Sequence, residues 1–395
     1  MQSHDPGHFF ESNEAIANRE RKAAKSSNKH GNPIPMKSKI LAAIPDPFDR
    51  LNSIFIAESA GFARRVSLES SEVKTTYRGP KAPVTCVAIG GKGNTALFAG
   101  SWDKDIWSWD VETAEPRLTY SGHSDFVKTV ISTTISGKNI LISGGADKKI
   151  LVWDVETGKR LFTLQDASTT MLAVQHLAID PVESSIDSIV VVSASSDPSL
   201  RRWKISLDSA EQLPESFKDH PETERLTILE HDTSVYKLNF DLFEDELDLW
   251  TASADGTAKC LSRATNFTTA DTLKHGDYVR GVVTTDQWVV TAGRDEDVKV
   301  WNRATGKLYC KLYGHFDEIT DLVLLQNSQG AGAKVCSVGI DGTIRVWPLA
   351  KNGLDETVRA IDEAEKNQNQ DIEEEKGEGM LTAEEEAELA ELMDD

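Results

Sequence analysis

Long apolar runs are missing from this chain of 395 residues. No stretch approaches the roughly 20 apolar residues that a membrane-spanning helix needs. The segment 1–38 is polar and lacks the apolar core of a signal peptide. We therefore expect an intracellular protein, cytoplasmic, nuclear or both, with no membrane partner.

Cysteine is scarce and shows no pairing pattern. The chain has four cysteines and no CxxC spacing, and they fall in strand-like segments: Cys86, Cys260, Cys310 and Cys336. Such residues are expected to be small core residues rather than disulfides or metal ligands. This usage fits a reducing compartment.

Basic residues are outnumbered by acidic ones. The net charge is −21, and two thirds of it lies in residues 354–395, with 17 acidic against three basic side chains. This balance gives no global electrostatic support to a nucleic-acid partner. The acidic segment is expected to be a solvated tail.

Motifs for catalysis or cofactor binding are also absent. The sequence has no HExxH, no GxSxG and no Asp-rich calcium loop. Residues 90–93, Gly-Gly-Lys-Gly, lack the spacing and the following helix of a phosphate-binding loop, so a turn is expected there. We expect no cofactor, no metal and no small-molecule substrate.

One sequence motif recurs along the chain with few changes. Each copy has an Asp six residues before a Trp and a β-rich run between them, as in Asp147 and Trp153. The copies lie at 98–110, 143–154, 193–205, 291–302 and 337–349. An internal repeat of this kind indicates stacked units, none of which buries its apolar face alone.

Several copies end in Trp-Asp or a near match and follow an upstream His, as with Gly122-His123 before Trp153-Asp154. This pattern resembles the WD-repeat family over roughly residues 38–349. The resemblance implies an all-β fold, a single seven-bladed β-propeller with four antiparallel strands in each blade. We expect the propeller over 38–350, a polar and disordered N-terminal extension over 1–37, and an acidic, partly helical tail over 351–395.

Three details of this assignment are irregular. Unit five has Leu261 where Trp is expected, and the degenerate first unit places Ala60 and Val66 at the Asp and Trp positions. The seventh unit lacks an outer strand. The segment before residue 40 that could supply it, Asn32–Met36, contains two prolines and is a poor strand. The sequence leaves ring closure open.

In the tail, we expect disorder over 368–379 and a short helix that begins at Leu381-Thr382, where Thr382 and Glu385 form a capping box.

Three units carry a full set of His, Ser or Thr, Asp and Trp, which could be mistaken for a catalytic triad. The sets are His123, Ser143, Asp147, Trp153; His275, Thr291, Asp295, Trp301; and His315, Ser337, Asp341, Trp347. The family resemblance implies a buried hydrogen-bond relay from the indole through Ser/Thr and His to Asp. A catalytic nucleophile occurs once in a site, not once in every repeat, so we expect no enzyme. Histidines spaced one to a blade also argue against a metal site.

Function is then expected on exposed surfaces. In the family, partners commonly bind where the loops between strands face one end of the channel. The positions three and five after the repeat His, with those just before the turn Asp, place aromatic and basic side chains at this rim: Trp102, Phe126, Lys128, Tyr236, Tyr278, Arg280 and Arg294. These residue types are enriched in binding hot spots.

The leading hypothesis is a non-enzymatic scaffold or adaptor subunit of a multiprotein complex, which binds proteins at the rim and through the acidic tail. One alternative is a substrate receptor of a ubiquitin ligase, although no WDxR box follows the repeats. Another is an RNA-processing or ribosome-assembly factor that uses Lys128, Arg280 and Arg294.

Overall fold

The computed structural model describes residues 13–166, 170–217, 220–243, 246–326 and 332–378. Its first elements are a helix, α1 (Asn13–Ser26), and a two-residue strand, β1 (Ile34–Pro35). Helix-forming Ala, Glu, Arg and Lys dominate α1. We expected disorder over residues 1–37, so both elements are a correction within the described part of this segment.

Seven antiparallel sheets form the blades in the described part of the chain; six of them have four strands, and the sheet of blade 4 has five. In blades 1 to 6 the strands run in chain order from the inner strand to the outer one, whereas blade 7 takes its outer strand from β1. Blade 1 consists of β2 (Ile40–Pro45), β3 (Ser53–Glu58), β4 (Ala63–Ser67) and β5 (Val73–Tyr77). Blade 2 consists of β6 (Val84–Gly90), β7 (Ala96–Ser101), β8 (Asp105–Asp110) and β9 (Pro116–Ser121). Blade 3 consists of β10 (Val127–Ile135), β11 (Lys138–Gly145), β12 (Ile150–Asp154) and β13 (Arg160–Leu164).

Two short strands on either side of an inserted hairpin form the outer edge of blade 4. Its strands are β14 (Val174–Asp180), β15 (Ser188–Ser195), β16 (Ser199–Ser206) and the short β17 (Ala210–Gln212). The insertion adds a hairpin of β18 (Glu215–Phe217) and β19 (His220–Arg225), and β20 (Ile228–Leu229) then pairs with β16.

The remaining strands complete the ring. Blade 5 consists of β21 (Val235–Phe243), β22 (Glu246–Ser253), β23 (Thr257–Ser262) and β24 (Thr268–Lys274). Blade 6 consists of β25 (Val279–Thr284), β26 (Trp288–Gly293), β27 (Val298–Asn302) and β28 (Leu308–Leu312). Blade 7 has β29 (Ile319–Leu325), β30 (Lys334–Gly339) and β31 (Thr343–Pro348), with β1 as its outer strand. The expected seven-bladed propeller is confirmed.

Strand β1 closes the ring, so the doubt over the proline-rich segment was misplaced. Ile34 pairs with Ile344 and Pro35 with Thr343, and the Met36 amide donates to the Gly342 carbonyl at 2.7 Å. Proline is tolerated because an outer strand needs ladder hydrogen bonds on one side only. Ile34 is buried in the cluster shared by blades 1 and 7.

The inner strands of neighbouring blades contact one another around the ring, from β2 to β29 and back to β2. Apolar side chains of the middle strands fill the space between blades, as in β12, whose five residues are all buried. Cys86, Cys260 and Cys336 are buried and Cys310 is half-buried, and all four thiols are free. Burial raises the pKa of Cys86 to about 12, as expected of an unreactive core thiol.

The chain divides into two compact units between Ala350 and Lys351. The second unit begins with a 28-residue helix, α2 (Lys351–Glu378). It runs through most of the segment 368–379, where we expected disorder. The expected short helix from Leu381 lies outside the described residues. No helix in the described ranges is long and apolar enough to cross a membrane.

Candidate interaction surface

The repeated polar residues of blade 3 form one hydrogen-bonded chain. The Trp153 indole Nε1–H donates to Ser143 Oγ at 2.9 Å, and Ser143 Oγ lies 2.8 Å from His123 Nε2. His123 Nδ1 lies 2.9 Å from Asp147 Oδ1. With the imidazole proton on Nδ1, every donor in this hydrogen-bonded chain meets an acceptor, and none of its polar side chains lacks a hydrogen-bond partner.

Blades 6 and 7 repeat this chain with small differences. In blade 7 the three distances are 2.9, 2.8 and 2.8 Å, along Trp347, Ser337, His315 and Asp341. In blade 6 the imidazole is turned over, and the distances are 2.8, 2.9 and 2.9 Å along Trp301, Thr291, His275 and Asp295. The Ser and Thr hydroxyls belong to residues that are 0% exposed. The arrangement fastens the second and third strands of a blade to its turns and presents no accessible nucleophile.

The Asp carboxylate at the end of each of these hydrogen-bonded chains is held in its charged form. Burial by itself raises the pKa of Asp295, but the hydrogen bond from His275 and the Lys299 ammonium, 2.5 Å away, outweigh it and lower that pKa to about 2. The pKa values of Asp147 and Asp341 are lowered in the same way, against burial, by His123 and His315.

Blade 5 keeps this chain without its tryptophan. His231 lies 2.7 Å from both Thr251 Oγ1 and Asp255 Oδ2, and Leu261 pairs with Leu249 in the register of the missing Trp. Among the described residues, no three His, Cys, Asp or Glu side chains form a group that could hold a metal ion. That the protein is not an enzyme and takes no metal or cofactor stays a prediction.

A β-bulge occurs at the same place in the inner strand of every blade, after the first residue of the strand. The seven residues at these bulges all line one cavity along the channel: Leu41, Thr85, Lys128, Gln175, Tyr236, Arg280 and Thr320. A bulge redirects the side chain of its extra residue. We call these seven residues the bulge ring. It contains three of the seven rim residues predicted from the sequence, Lys128, Tyr236 and Arg280.

The other predicted rim residues lie beside the bulge ring and contact one another. Trp102 stacks on Phe126, with ring centroids 4.8 Å apart and planes 13° apart. The Arg294 guanidinium lies 5.1 Å from the ring centroid of Tyr278. Trp102 and Tyr278 are 41% and 38% exposed, so part of each ring is open to solvent.

Tyr236 and Arg280 form a third aromatic contact, inside the cavity. The Arg280 guanidinium lies 3.9 Å from the centroid of the Tyr236 ring and forms an ion pair with Glu318 at 2.5 Å. The cavity has a volume of about 580 Å³, and Trp102 lies on its wall. The structure thus brings Trp102, Lys128, Tyr236 and Arg280 to one cavity, with Phe126, Tyr278 and Arg294 outside it.

Sequence reasoning missed the acidic residues of the rim and the helix that covers them. Glu296 has a positive φ of 71° and is only 6% exposed. Arg21 of α1 binds its carboxylate through two hydrogen bonds of 2.6 and 2.7 Å, and Lys25 lies 2.9 Å away. Lys22 forms an ion pair with Asp317 at 2.5 Å. The Arg-Glu-Arg-Lys run at 19–22 was the available signal, within the segment for which we expected disorder.

Gln175 was missed because blade 4 has no repeat histidine from which to count. A better signal was the first buried apolar residue of each inner strand, since the bulge residue directly follows it, as Gln175 follows Val174.

Comparison with known proteins agrees with the architecture. The family described as "WD domain, G-beta repeat" matches residues 71–110, 114–154, 268–302 and 306–348. An uncharacterized WD repeat-containing protein of Schizosaccharomyces pombe is 31% identical over 411 aligned positions, which cover 100% of both chains. The nuclear distribution protein PAC1 of Coccidioides posadasii is 26% identical over 72% of this chain and 61% of its own length. The nuclear distribution protein nudF of Aspergillus niger is 25% identical over 72% and 63%.

Proposed function

Because this chain belongs to the WD-repeat family, whose propellers are generally non-enzymatic interaction scaffolds, we propose that it is a scaffold or adaptor subunit that binds other proteins at the rim of its channel. The observation that carries this proposal is the group of three aromatic contacts at one end of the channel. Trp102 and Tyr278 are both partly exposed there. Aromatic and arginine side chains dominate binding energy at protein interfaces.

The rim is also suited to binding because its side chains are held in place before a partner arrives. Stacking fixes the Trp102 ring on Phe126, and Arg294 lies over Tyr278, so little rotamer freedom is lost on association. We place the protein inside the cell, where its four free thiols would remain reduced.

The test is affinity purification from cell extract with mass spectrometry, with wild type and a Trp102→Ala/Tyr278→Ala variant in parallel. The variant is expected to lose the partner, because it removes two exposed hot-spot side chains that do not belong to the core. Ile186→Ala/Leu242→Ala is the matched control, since these apolar side chains are 80% and 63% exposed and lie outside the bulge ring.

Retention of all partners by the Trp102/Tyr278 variant would contradict the rim as the binding surface. A partner lost only on deletion of residues 351–395 would assign binding to the acidic tail. Co-purification of a cullin, or of RNA in a salt-dependent manner, would favour the ubiquitin-ligase or the RNA alternative.

A further inference from the structure

The cavity inside the bulge ring holds one more cation than its anions can pair. Five side chains that carry a charge near neutral pH line it, and four of them form two ion pairs. Arg280 pairs with Glu318 at 2.5 Å, and Lys237 pairs with Asp321 at 2.7 Å. Lys128 remains without a hydrogen bond or ion pair to any residue in the described part of the chain.

Lys128 is held in an environment that an ammonium group does not favour. Burial lowers its pKa, and the positive charge of Arg280 lowers it further, while Asp125 opposes this only weakly. Lys128 belongs to blade 3 and Arg280 to blade 6, so they face the cavity from opposite sides of the ring. A half-buried, unpaired ammonium costs free energy unless an anion arrives to pair with it.

Three other polar members of the bulge ring already form hydrogen bonds within the protein. Thr85 Oγ1 donates to the Val127 carbonyl at 2.5 Å, and Thr320 Oγ1 donates to the Ile40 carbonyl at 2.9 Å. Gln175 Nε2 donates to Ser196 Oγ at 2.7 Å. These bonds join neighbouring strands and blades, and they leave Lys128 as the cation that is open to a ligand.

His176 follows Gln175 and faces the same cavity. Its Nδ1 is buried and lacks a hydrogen-bond partner in the described residues. Burial, with a smaller contribution from Lys237, lowers its pKa well below the usual value, so the ring is neutral and adds no charge. A neutral imidazole can still donate one hydrogen bond to a ligand oxygen.

Helix α1 removes negative charge from the neighbouring rim. Arg21 and Lys25 pair with Glu296, and Lys22 pairs with Asp317. These carboxylates are therefore not free to repel an acidic ligand. A cavity lined by one cation that no carboxylate of the described residues pairs thus occurs in a protein whose net charge is −21.

We infer that Lys128 binds one carboxylate, that of a glutamate or aspartate side chain of a partner protein, inserted into the mouth of the channel. The aliphatic part of such a side chain would pack against Trp102 and Tyr236, which lie on the wall of the same cavity. A nucleic acid fits less well, because its run of phosphates needs several unpaired cations and the whole chain is strongly acidic. This inference rests on the proposed function and specifies its partner.

The test is fluorescence anisotropy with a labelled Ala-Glu repeat peptide and the matched Ala-Gln peptide. The Glu peptide is expected to bind and the Gln peptide is not. Lys128→Met is expected to weaken binding about tenfold, because a charge-assisted contact is lost, and Lys128→Arg should retain it. Lys92→Met is the matched control, since Lys92 is exposed on the loop between β6 and β7, and it should bind as wild type does.

Lys128→Met is also expected to unfold at no lower a temperature than wild type, because it removes an unpaired charge. If that variant does not fold, Lys128→Gln replaces it. The inference is overturned if the Gln peptide binds equally well, if Lys128→Met binds the Glu peptide normally, if Lys92→Met is equally impaired, or if an oligouridylate binds in place of the Glu peptide. A natural partner that Lys128→Met retains but Trp102→Ala/Tyr278→Ala loses would overturn this inference alone and leave the proposed function standing.

Discussion

Blades 3 and 2 solve the same packing problem with different chemistry. In blade 3, Ser143 lies two residues after Leu141, which pairs with Trp153, and it accepts the indole hydrogen bond. In blade 2 the equivalent position is Ala99, two residues after the partner of Trp109. The Trp109 indole donates instead to the carbonyl of Arg78 at 2.9 Å. Either blade satisfies its buried indole, so the polar chain is one solution among several.

Blades 1 and 4 extend the comparison. Blade 1 has Ile56 and Val66 at the Ser and Trp positions, both fully buried, and so has no polar chain there. Blade 4 keeps the Ser193–Trp203 bond at 2.8 Å, but it has no repeat histidine to continue the hydrogen-bonded chain. Arg201 lies 2.7 Å from Asp166 and 3.0 Å from Asp197 instead. The repeated polar residues therefore stabilise the blades, and a single blade can use other residues in their place, provided that no buried polar group is left unpaired.

The largest effect is expected from Asp341→Ala in blade 7. It removes a carboxylate that binds His315 and the Thr343 amide, and it leaves the imidazole Nδ1 with only its longer contact to Thr343 Oγ1, at 3.2 Å. We expect a loss of about 3 kcal/mol in the free energy of unfolding. Asp103→Ala in blade 2 should cost clearly less, because no histidine depends on Asp103. Urea unfolding measures both, and equal losses would mean that the relay adds nothing in blade 7.

A smaller effect is expected on acidification of blade 6. The folded-state pKa of Asp295 is about 2, below the unfolded value of about 4. Its contribution to stability is therefore complete above pH ~4 and is lost as the pH falls toward 2. Wild type should exceed Asp295→Asn in stability at neutral pH, and the gap should close over this range. A gap that does not depend on pH would show that the carboxylate charge is not what Asp295 contributes.

The smallest effect on stability is expected from Glu296→Gln, which weakens the contact between α1 and the rim. Partly exposed ion pairs contribute about 1 kcal/mol or less. The melting temperature should hardly change, while trypsin should cleave faster at Arg21 and Lys22 because α1 is released. Glu69→Gln, at an exposed glutamate, is the control. High salt should make wild type resemble the variant, and equal cleavage of all three proteins would contradict the contact.

The seven blades and the polar chains were predictable because the repeat fixes both the period and the register. Even Val66 and Leu261 could be assigned to the Trp position by counting, and the strand pairing bears this out. Ring closure was not predictable, because β1 has only two residues and its prolines oppose a strand. Its position depends on contacts with residues more than 300 positions away, such as Ile344.

The candidate site was predictable in part. Counting from the repeat histidine found Lys128, Tyr236 and Arg280, since the bulge always follows the same buried residue. The count fails at Gln175, where the histidine is missing, and it cannot show which cations are paired. That Lys128, among the described cations lining the cavity, is the one without a carboxylate depends on side chains of other blades, such as Glu318 and Asp321, which only the closed ring brings together.

The central claim, that a buried polar side chain of this hydrogen-bonded chain stabilises its blade only when its partners are present, is tested most directly by equilibrium unfolding of a reciprocal pair. Ser143→Ala should lose about 2 kcal/mol, because the Trp153 indole and His123 Nε2 are left unpaired. Ala99→Ser should also lose stability, by about 1 kcal/mol, because the new hydroxyl is buried where blade 2 has no histidine to receive it. The account predicts that both variants unfold at a lower urea concentration than wild type. A Ser143→Ala variant as stable as wild type, or a stabilising Ala99→Ser, would contradict it.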